Sequence, residues 1–181
     1  VVAMGSGIAG QADSLFAFGA DRVIIIDDER LSGFNDELEA RTMIRLIKKY
    51  NPEIVIYAAT TRGRALAPRI AVKAQCGLTA DCTGLEIDLE NGDLLQTRPA
   101  FGGNIMATIR CPGHRPQMAT VRPRVMKALE PDAGRSGEIV REEVQDSDTA
   151  HIKRIVQIFH SGESSVNLGD AQIIIAGGRG V

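Results

Sequence analysis

The sequence predicts an α/β fold with three layers, in which helices cover both faces of a mostly parallel sheet. Residues 23–26 and 54–59 are continuous apolar runs rich in β-branched side chains, a pattern typical of strands buried on both faces. Segments with helical spacing lie between such runs. This alternation indicates crossover connections between parallel strands.

The first half of the chain gives these elements in a regular order. Strand, helix, strand, helix, strand and helix are predicted over residues 1–4, 8–18, 22–26, 38–47, 53–59 and 64–75. Gly19 is expected to end the first helix, and Asn35 or Asp36 to cap the second, which Pro52 stops. Pro68 is expected in the first turn of the third helix, where no backbone donor is needed.

The second half has a different sequence pattern, which predicts shorter strands and more turns. Strands are predicted over residues 79–88, 94–97, 104–110, 117–121, 139–144 and 152–159. The Asn91-Gly92 pair predicts a hairpin turn between the first two of these strands. Residues 128–137 are polar, contain Pro and Gly, and predict a loop.

The order of these segments predicts one domain over residues 1–160 and a linker over 161–170. Residues 171–181 are expected to begin a second, dinucleotide-binding domain, with its first strand at 172–176. Residues 1–5 resemble the tail of a buried strand. We therefore expect residues to be missing before Val1.

The glycine turn after the strand predicted at 172–176 is the first candidate site. It includes Gly178, Arg179 and Gly180. Glycine lets a backbone approach a ligand closely, and an arginine beside it can hold a phosphate or an electron-rich ring.

The turn at residues 60–69 is the second candidate, because it leaves the carboxyl end of a predicted parallel strand and opens a helix. The helix amides, with Thr60, Thr61, Arg62 and Arg64, can bind an anion there. The spacing matches neither a phosphate-binding loop nor a dinucleotide turn. The leading interpretation is therefore structural: the threonines cap the helix, and the arginines form surface or subunit contacts.

Composition excludes several functional classes. A net charge of −2 and 4% aromatic residues argue against nucleic-acid binding. No apolar run approaches the length of a membrane span, so we expect no membrane insertion. Three cysteines without a secretory signal favour reduced thiols in the cytoplasm. No hydrolase nucleophile and base are apparent.

The cysteines also allow a zinc hypothesis, which is the weaker one. Cys76, Cys82, Cys111 and His114 supply four ligand types, but the first pair is too widely spaced for a structural zinc site. Buried thiols are the preferred interpretation.

Residues 96–109 have a strand-like pattern that Gly102 and Gly103 interrupt. A bulge or tight hairpin explains the glycines. A functional interpretation has Arg98 and Asn104 facing a partner across an interface, and the two interpretations are compatible.

Seven motifs occur in this order along the chain, at residues 19–23, 52–56, 59–71, 77–83, 96–109, 116–123 and 176–180. Taken together and in this order, they resemble the α subunits of electron transfer flavoproteins. Ala65 departs from the aspartate often found in the third of these motifs, residues 59–71, which leaves any role of a carboxylate there in doubt. The long Gln-Thr-Arg-Pro-Ala-Phe-Gly-Gly-Asn form is similar to subunits of anaerobic bacteria, some of which bifurcate electrons.

The resemblance implies a three-layer, adenine-nucleotide-hydrolase-like first domain, here expected to lack its opening strand and helix, and an FAD-binding second domain. It implies an α/β heterodimer that carries electrons from an acyl-CoA or hydroxyacid dehydrogenase to an acceptor, as in fatty acid β-oxidation. Gly178, Arg179 and Gly180 match the turn that touches FAD in the family, and most other flavin contacts lie beyond Val181. The implied partners are the β subunit and a dehydrogenase, in the bacterial cytoplasm.

Two alternatives stay open at this point. One is a stand-alone adenine-nucleotide-binding module that uses the 60–69 turn. The other is a purely structural domain that docks the β subunit.

Overall fold

The computed structural model describes residues 1–153, 155–157, 159 and 171–180, and strands and helices alternate along its first half. The strands are β1 (Val2–Gly5), β2 (Arg22–Asp27), β3 (Ile54–Ala58), β4 (Leu78–Cys82), β5 (Gly84–Ile87), β6 (Leu94–Ala100), β7 (Ile105–Ile109), β8 (Gln117–Val121) and β9 (Glu138–Arg141). The helices are α1 (Ala12–Ala17), α2 (Asp36–Tyr50), α3 (Thr61–Ala74) and α4 (Asp146–Thr149).

The described strands form three sheets of three strands. Two sheets are parallel, in the orders β1-β2-β9 and β3-β8-β4. The third is antiparallel, in the order β5-β6-β7, and its first hairpin turns through Asn91 and Gly92, with Gly92 at φ +73°. The predicted α/β fold and the predicted hairpin are confirmed.

Strand alternation distributes the core over both faces of the parallel sheets. In β2, Ile24 and Ile26 pack with α2 and α3, whereas Val23 and Ile25 pack with α1 on the other face. In the second parallel sheet, one face packs with the same two helices. Its other face packs on the antiparallel sheet, through Cys82, Leu94 and Ala119. This arrangement gives the three predicted layers.

Helix α2 begins and ends where its sequence signals place it. The side-chain oxygen of Asn35 accepts from the amides of Glu37 and Leu38, at 3.1 and 3.2 Å, and so caps two free donors. After Tyr50, Asn51 adopts a left-handed conformation with φ 44°, directly before Pro52. The prediction of Asn35 as cap is confirmed.

Helix α3 begins three residues earlier than the predicted start at residue 64. The Thr60 hydroxyl accepts from the Gly63 amide at 3.2 Å, which fixes the first turn at Thr61. Pro68 therefore lies inside the helix rather than in its first turn, and the sequence prediction was wrong on this point. The helix forgoes one backbone hydrogen bond there, since proline has no amide proton.

Several strands in the second half differ from their predictions. The run at 79–88 is two strands, with Thr83 between β4 and β5, and β9 is shorter than the predicted 139–144. In the stretch 152–159, no described residue lies in a strand. The predicted linker at 161–170 lies outside the described residues.

The predicted strand at 172–176 is not formed, and this prediction was wrong for the chain as described. Ile173, Ile174 and Ile175 are exposed, without a strand assignment. A strand needs a neighbour that pairs with its backbone groups, and no described strand lies beside this segment. The assignment of residues 171–181 to a second domain stays a prediction.

The close approach of α3 to β3 gives a test of this packing. A Cβ added at Gly63 would lie 1.9 Å from the carbonyl oxygen of Ala58, so the helix and the strand would have to separate. We expect Gly63→Ala to lower the free energy of unfolding by about 3 kcal/mol, measured by urea denaturation. Gly10→Ala, whose Cβ would meet no atom within 4 Å, is the matched control. Equal stability of the two variants would contradict this account.

Candidate functional site

The carboxyl ends of three parallel strands meet at one edge of the second sheet. The helix-opening turn after β3, the Asp81 carboxylate of β4 and the Arg122 guanidinium after β8 come together there. Ligands of open α/β sheets bind at this end of the strands, so this edge is the first place to examine.

Asp81 is the centre of the cluster. Its two carboxylate oxygens accept from Arg64 and Arg122, each at 2.8 Å. Its amide donates to the Thr120 hydroxyl at 2.8 Å. The residue has φ +66° and lies where the pairing of β4 with β8 shifts register, so an irregularity in the strand brings the carboxylate between the two arginines.

The cluster has a surplus of positive charge. The hydrogen bond from Arg122 lowers the pKa of Asp81, and the charges of Arg64 and Arg98 lower it further, against the effect of burial. Asp81 in turn raises the pKa of the Arg122 guanidinium. Asp81 is therefore ionised near neutral pH, among three cations. Such an edge attracts anionic groups.

The side chains of the 60–69 turn contact other residues of the same chain. Thr60 caps α3, and the Arg64 side chain also donates to the Ala59 carbonyl at 2.9 Å. Arg69 pairs with Asp36 at 2.8 Å, and Arg62 lies over the Phe34 ring at 5.4 Å. These contacts favour the structural interpretation of the turn. They weaken the alternative of a stand-alone nucleotide module, because the arginines it needs are already paired.

The glycine turn lies apart from this edge. Gly178, Arg179 and Gly180 are exposed, and a Cβ added at either glycine would meet no atom within 4 Å. The backbone of this turn is thus open to approach by another group. The role of these three residues as cofactor ligands stays a prediction.

The hairpin between β6 and β7 presents apolar side chains to solvent. The chain turns through Gly102 and Gly103, with φ +71° and +94°, which confirms the predicted tight hairpin. Phe101, at 83% exposure, lies beside the half-exposed Ile105 and Met106. A cluster of this kind is typical of a contact surface. That Arg98 and Asn104 face a partner stays a prediction.

The thiols act as weak donors inside the fold. The Cys82 thiol donates to the Thr79 carbonyl and the Cys76 thiol to the Ala71 carbonyl, and burial raises the pKa of both thiols. Among the described residues, no three potential ligands lie close enough to hold a metal ion. None of the described helices has the length and apolar character that crossing a bilayer requires.

The sequence analysis did not identify Asp81 as a site residue. The available signal was a single carboxylate within the short strand at residues 78–82. A lone Asp at a strand end does not reveal which cations will surround it, because Arg64 and Arg122 come from distant segments.

The pairing of Asp81 gives a pH-dependent prediction. Its folded-state pKa lies below that of the unfolded chain, so its stabilisation is full above about pH 4 and is lost as the pH falls through the folded-state pKa. We expect Asp81→Asn to cost roughly 1 kcal/mol at pH 7, with little difference from the parent protein near pH 2. Asp21→Asn, at a carboxylate that is 92% exposed, is the control and should change little. Urea denaturation across this pH range measures the difference, and a constant difference would contradict the assignment.

Comparison with known proteins gives a consistent result. The electron transfer flavoprotein domain matches residues 1–147. An electron transfer flavoprotein subunit alpha of Thermoanaerobacterium thermosaccharolyticum is 48% identical over 99% of this chain and 54% of its own length. The corresponding subunit of Clostridium acetobutylicum is 42% identical over 99% of this chain and 54% of its own length.

A third relative has a more specific name. The lactate dehydrogenase (NAD(+),ferredoxin) subunit LctC of Acetobacterium woodii is 41% identical over 98% of this chain and 42% of its own length. The chain thus spans about half the length of the relatives it matches. Because the family match covers most of the chain and the fold agrees with it, the chain belongs to the electron transfer flavoprotein family, and within that family it is similar to the α subunits.

Proposed function

We propose that the full-length protein is the α subunit of an electron transfer flavoprotein. In this role it carries FAD in a heterodimer with a β subunit and passes electrons from a dehydrogenase to a downstream acceptor. The observation that carries the proposal is the 48% identity to such a subunit over 99% of the chain. The domain described above then serves as the scaffold, and the residues beyond it complete the flavin pocket.

The glycine turn fits a cofactor contact on its own chemistry. Its backbone is unobstructed at Gly178 and Gly180, and Arg179 brings a permanent positive charge between them. FAD, when bound, accepts and donates the electrons. The part of Arg179 is to stabilise negative charge on the phosphates or on the reduced ring.

The β6–β7 hairpin fits the contact with the β subunit. Phe101, Ile105 and Met106 are apolar and exposed, and Arg98, in strand β6 of the same hairpin, contributes positive charge at Asp81. We propose a soluble acyl-CoA or hydroxyacid dehydrogenase as electron donor and the bacterial cytoplasm as the location. The name of the LctC relative supports a dehydrogenase partner for a chain of this kind.

The proposal is tested by producing the full-length protein with its β subunit. We expect a yellow complex whose flavin absorbance bands bleach on photoreduction. A stable, correctly assembled complex that contains no flavin would overturn the proposal.

Arg179 gives a more specific test in the same complex. We expect Arg179→Ala to weaken FAD retention or to make the flavin reduction potential more negative, since a stabilising positive charge is removed. Arg179→Lys keeps the charge and should retain part of the effect. Measurements are FAD content after dialysis and redox titration. Unchanged retention and potential in both variants would exclude Arg179 from the site.

The hairpin surface is tested by its effect on assembly. We expect Phe101→Asp to weaken binding of the β subunit by at least about tenfold, because a charge would replace an apolar side chain that the β subunit covers in the complex. Leu89→Asp, at a residue that is 94% exposed in a different turn, is the matched control. Isothermal titration calorimetry measures both. Equal affinity of the two variants would place the β subunit elsewhere.

A further inference from the structure

A basic groove of about 500 Å³ runs along α2 and is flanked by residues of α3 and α4. Ala40 and Ile44 give it an apolar floor, and both side chains also pack in the core cluster beneath. Five cations line the groove against two carboxylates, although the chain as a whole has a net charge of −2. The five cations are Arg41, Arg45, Lys48, Arg69 and Lys73.

Ion pairs hold the two walls of the groove in place. Asp148 of α4 is only 3% exposed and accepts from the Arg45 guanidinium at 3.2 Å, so this contact holds α4 against α2. On the other side, Arg69 of α3 pairs with Asp36 at 2.8 Å and with Glu37 at 3.7 Å. These contacts use both carboxylates of the groove and neutralise two of its five cations.

The other three cations keep an uncompensated charge. Arg41 donates to the carbonyl of Ala150, which is neutral. Lys48 and Lys73 are exposed, and neither makes a hydrogen bond or an ion pair with a carboxylate among the residues that the structure describes. A concave surface with unpaired charge of one sign attracts groups of the opposite sign, so the groove is suited to an anionic ligand.

The spacing of these cations indicates the kind of anion. Arg41 and Lys48 are seven residues apart in α2, which separates them by about 10 Å along the helix axis. A phosphate group is held by cations that converge on one point, whereas carboxylates two turns apart on a helix repeat at this same interval. Ile44 lies midway between the two cations and offers an apolar contact. The groove thus matches an acidic amphipathic helix that lies along it.

A membrane surface and a nucleic acid match the groove less well. Both walls contain a carboxylate, from Glu37 and from Asp148, which repels the closely spaced phosphates of either partner. The chain also lacks the basic surplus and the aromatic content that are typical of nucleic-acid binding.

The groove lies away from the β6–β7 hairpin. Helices α2 and α3 cover one face of the second parallel sheet, and the antiparallel sheet that contains the hairpin covers the other face. A β subunit bound at the hairpin therefore leaves the groove free for a different protein.

We propose that the groove binds an acidic amphipathic helix of a partner protein other than the β subunit. Carboxylates of that helix pair with Arg41, Lys48 and Lys73, and an apolar side chain between them packs on Ile44. The choice of a partner other than the β subunit rests on the proposed function, whereas the charge and the shape of the groove do not depend on it.

A synthetic peptide tests the proposal in the full-length protein bound to its β subunit. The probe is a helical peptide of about 14 residues with glutamates two turns apart and a leucine midway between them, and the control peptide has the same composition in scrambled order. We expect the probe to bind at least about tenfold more tightly than the control peptide. Raising the salt concentration from about 50 to about 500 mM should weaken its binding at least about tenfold, because the contacts are between exposed charges. Isothermal titration calorimetry measures both effects.

Variants of the unpaired lysines locate the binding site. We expect Lys48→Glu and Lys73→Glu each to weaken binding of the probe at least about tenfold, because a repulsive charge replaces an attractive one. Lys127→Glu makes the same change in net charge at an exposed lysine outside the groove and is the matched control. Lys48→Arg keeps the charge and should retain the affinity.

Several outcomes would overturn the proposal. They are failure of the complex to bind the probe, equal affinity of the Lys48→Glu and Lys127→Glu variants, and equal binding of the scrambled peptide. Binding by the α subunit alone that the β subunit abolishes would show that the β subunit covers the groove. Binding of ATP or of vesicles with anionic lipid, lost in Lys48→Glu, without binding of the probe would assign the groove to another class of ligand. Flavin content, measured separately in the same complex, distinguishes failure of this proposal from failure of the proposed electron-transfer function.

Discussion

The apolar surface of α2 and α3 is the constraint on which the rest of the structure depends. A single cluster that includes Ile24 of β2, Leu46 of α2, Ile70 of α3 and Met118 of β8 holds together two parallel sheets, whose described strands share no backbone hydrogen bonds. Burial of apolar side chains, which is non-directional, thus joins the two sheets, as hydrogen bonds between strands join the parts of a continuous sheet. The positions of the Asp81 edge and of the hairpin follow from the way this helix pair places β3 and β8.

The parts predicted correctly from the sequence are those set by local chemistry. Continuous apolar runs gave β2 and β3, the Asn35 cap gave the start of α2, and the Asn91-Gly92 pair gave the hairpin. The family resemblance rested on ordered motifs and was confirmed by the match over residues 1–147. Each of these signals lies within a few residues of the feature that it predicts.

The parts that were missed depend on distant segments. Pro68 was placed in the first turn because proline suits that position, but the Thr60 cap and the close contact of Gly63 with β3 moved the start of α3. The isoleucines at 173–175 match a buried strand in pattern, yet a strand forms only where a neighbour offers its backbone. Asp81 acquires its role only because an irregularity in β4 directs it between Arg64 and Arg122.

The order of the strands along the chain also bears on how such a protein is made. Long unpaired edges invite pairing with other chains, and a nascent chain that displays them is prone to aggregate. Strand β8 lies between β3 and β4 in the second parallel sheet but follows both in the sequence, so neither strand meets this central partner until residues 117–121 have been made.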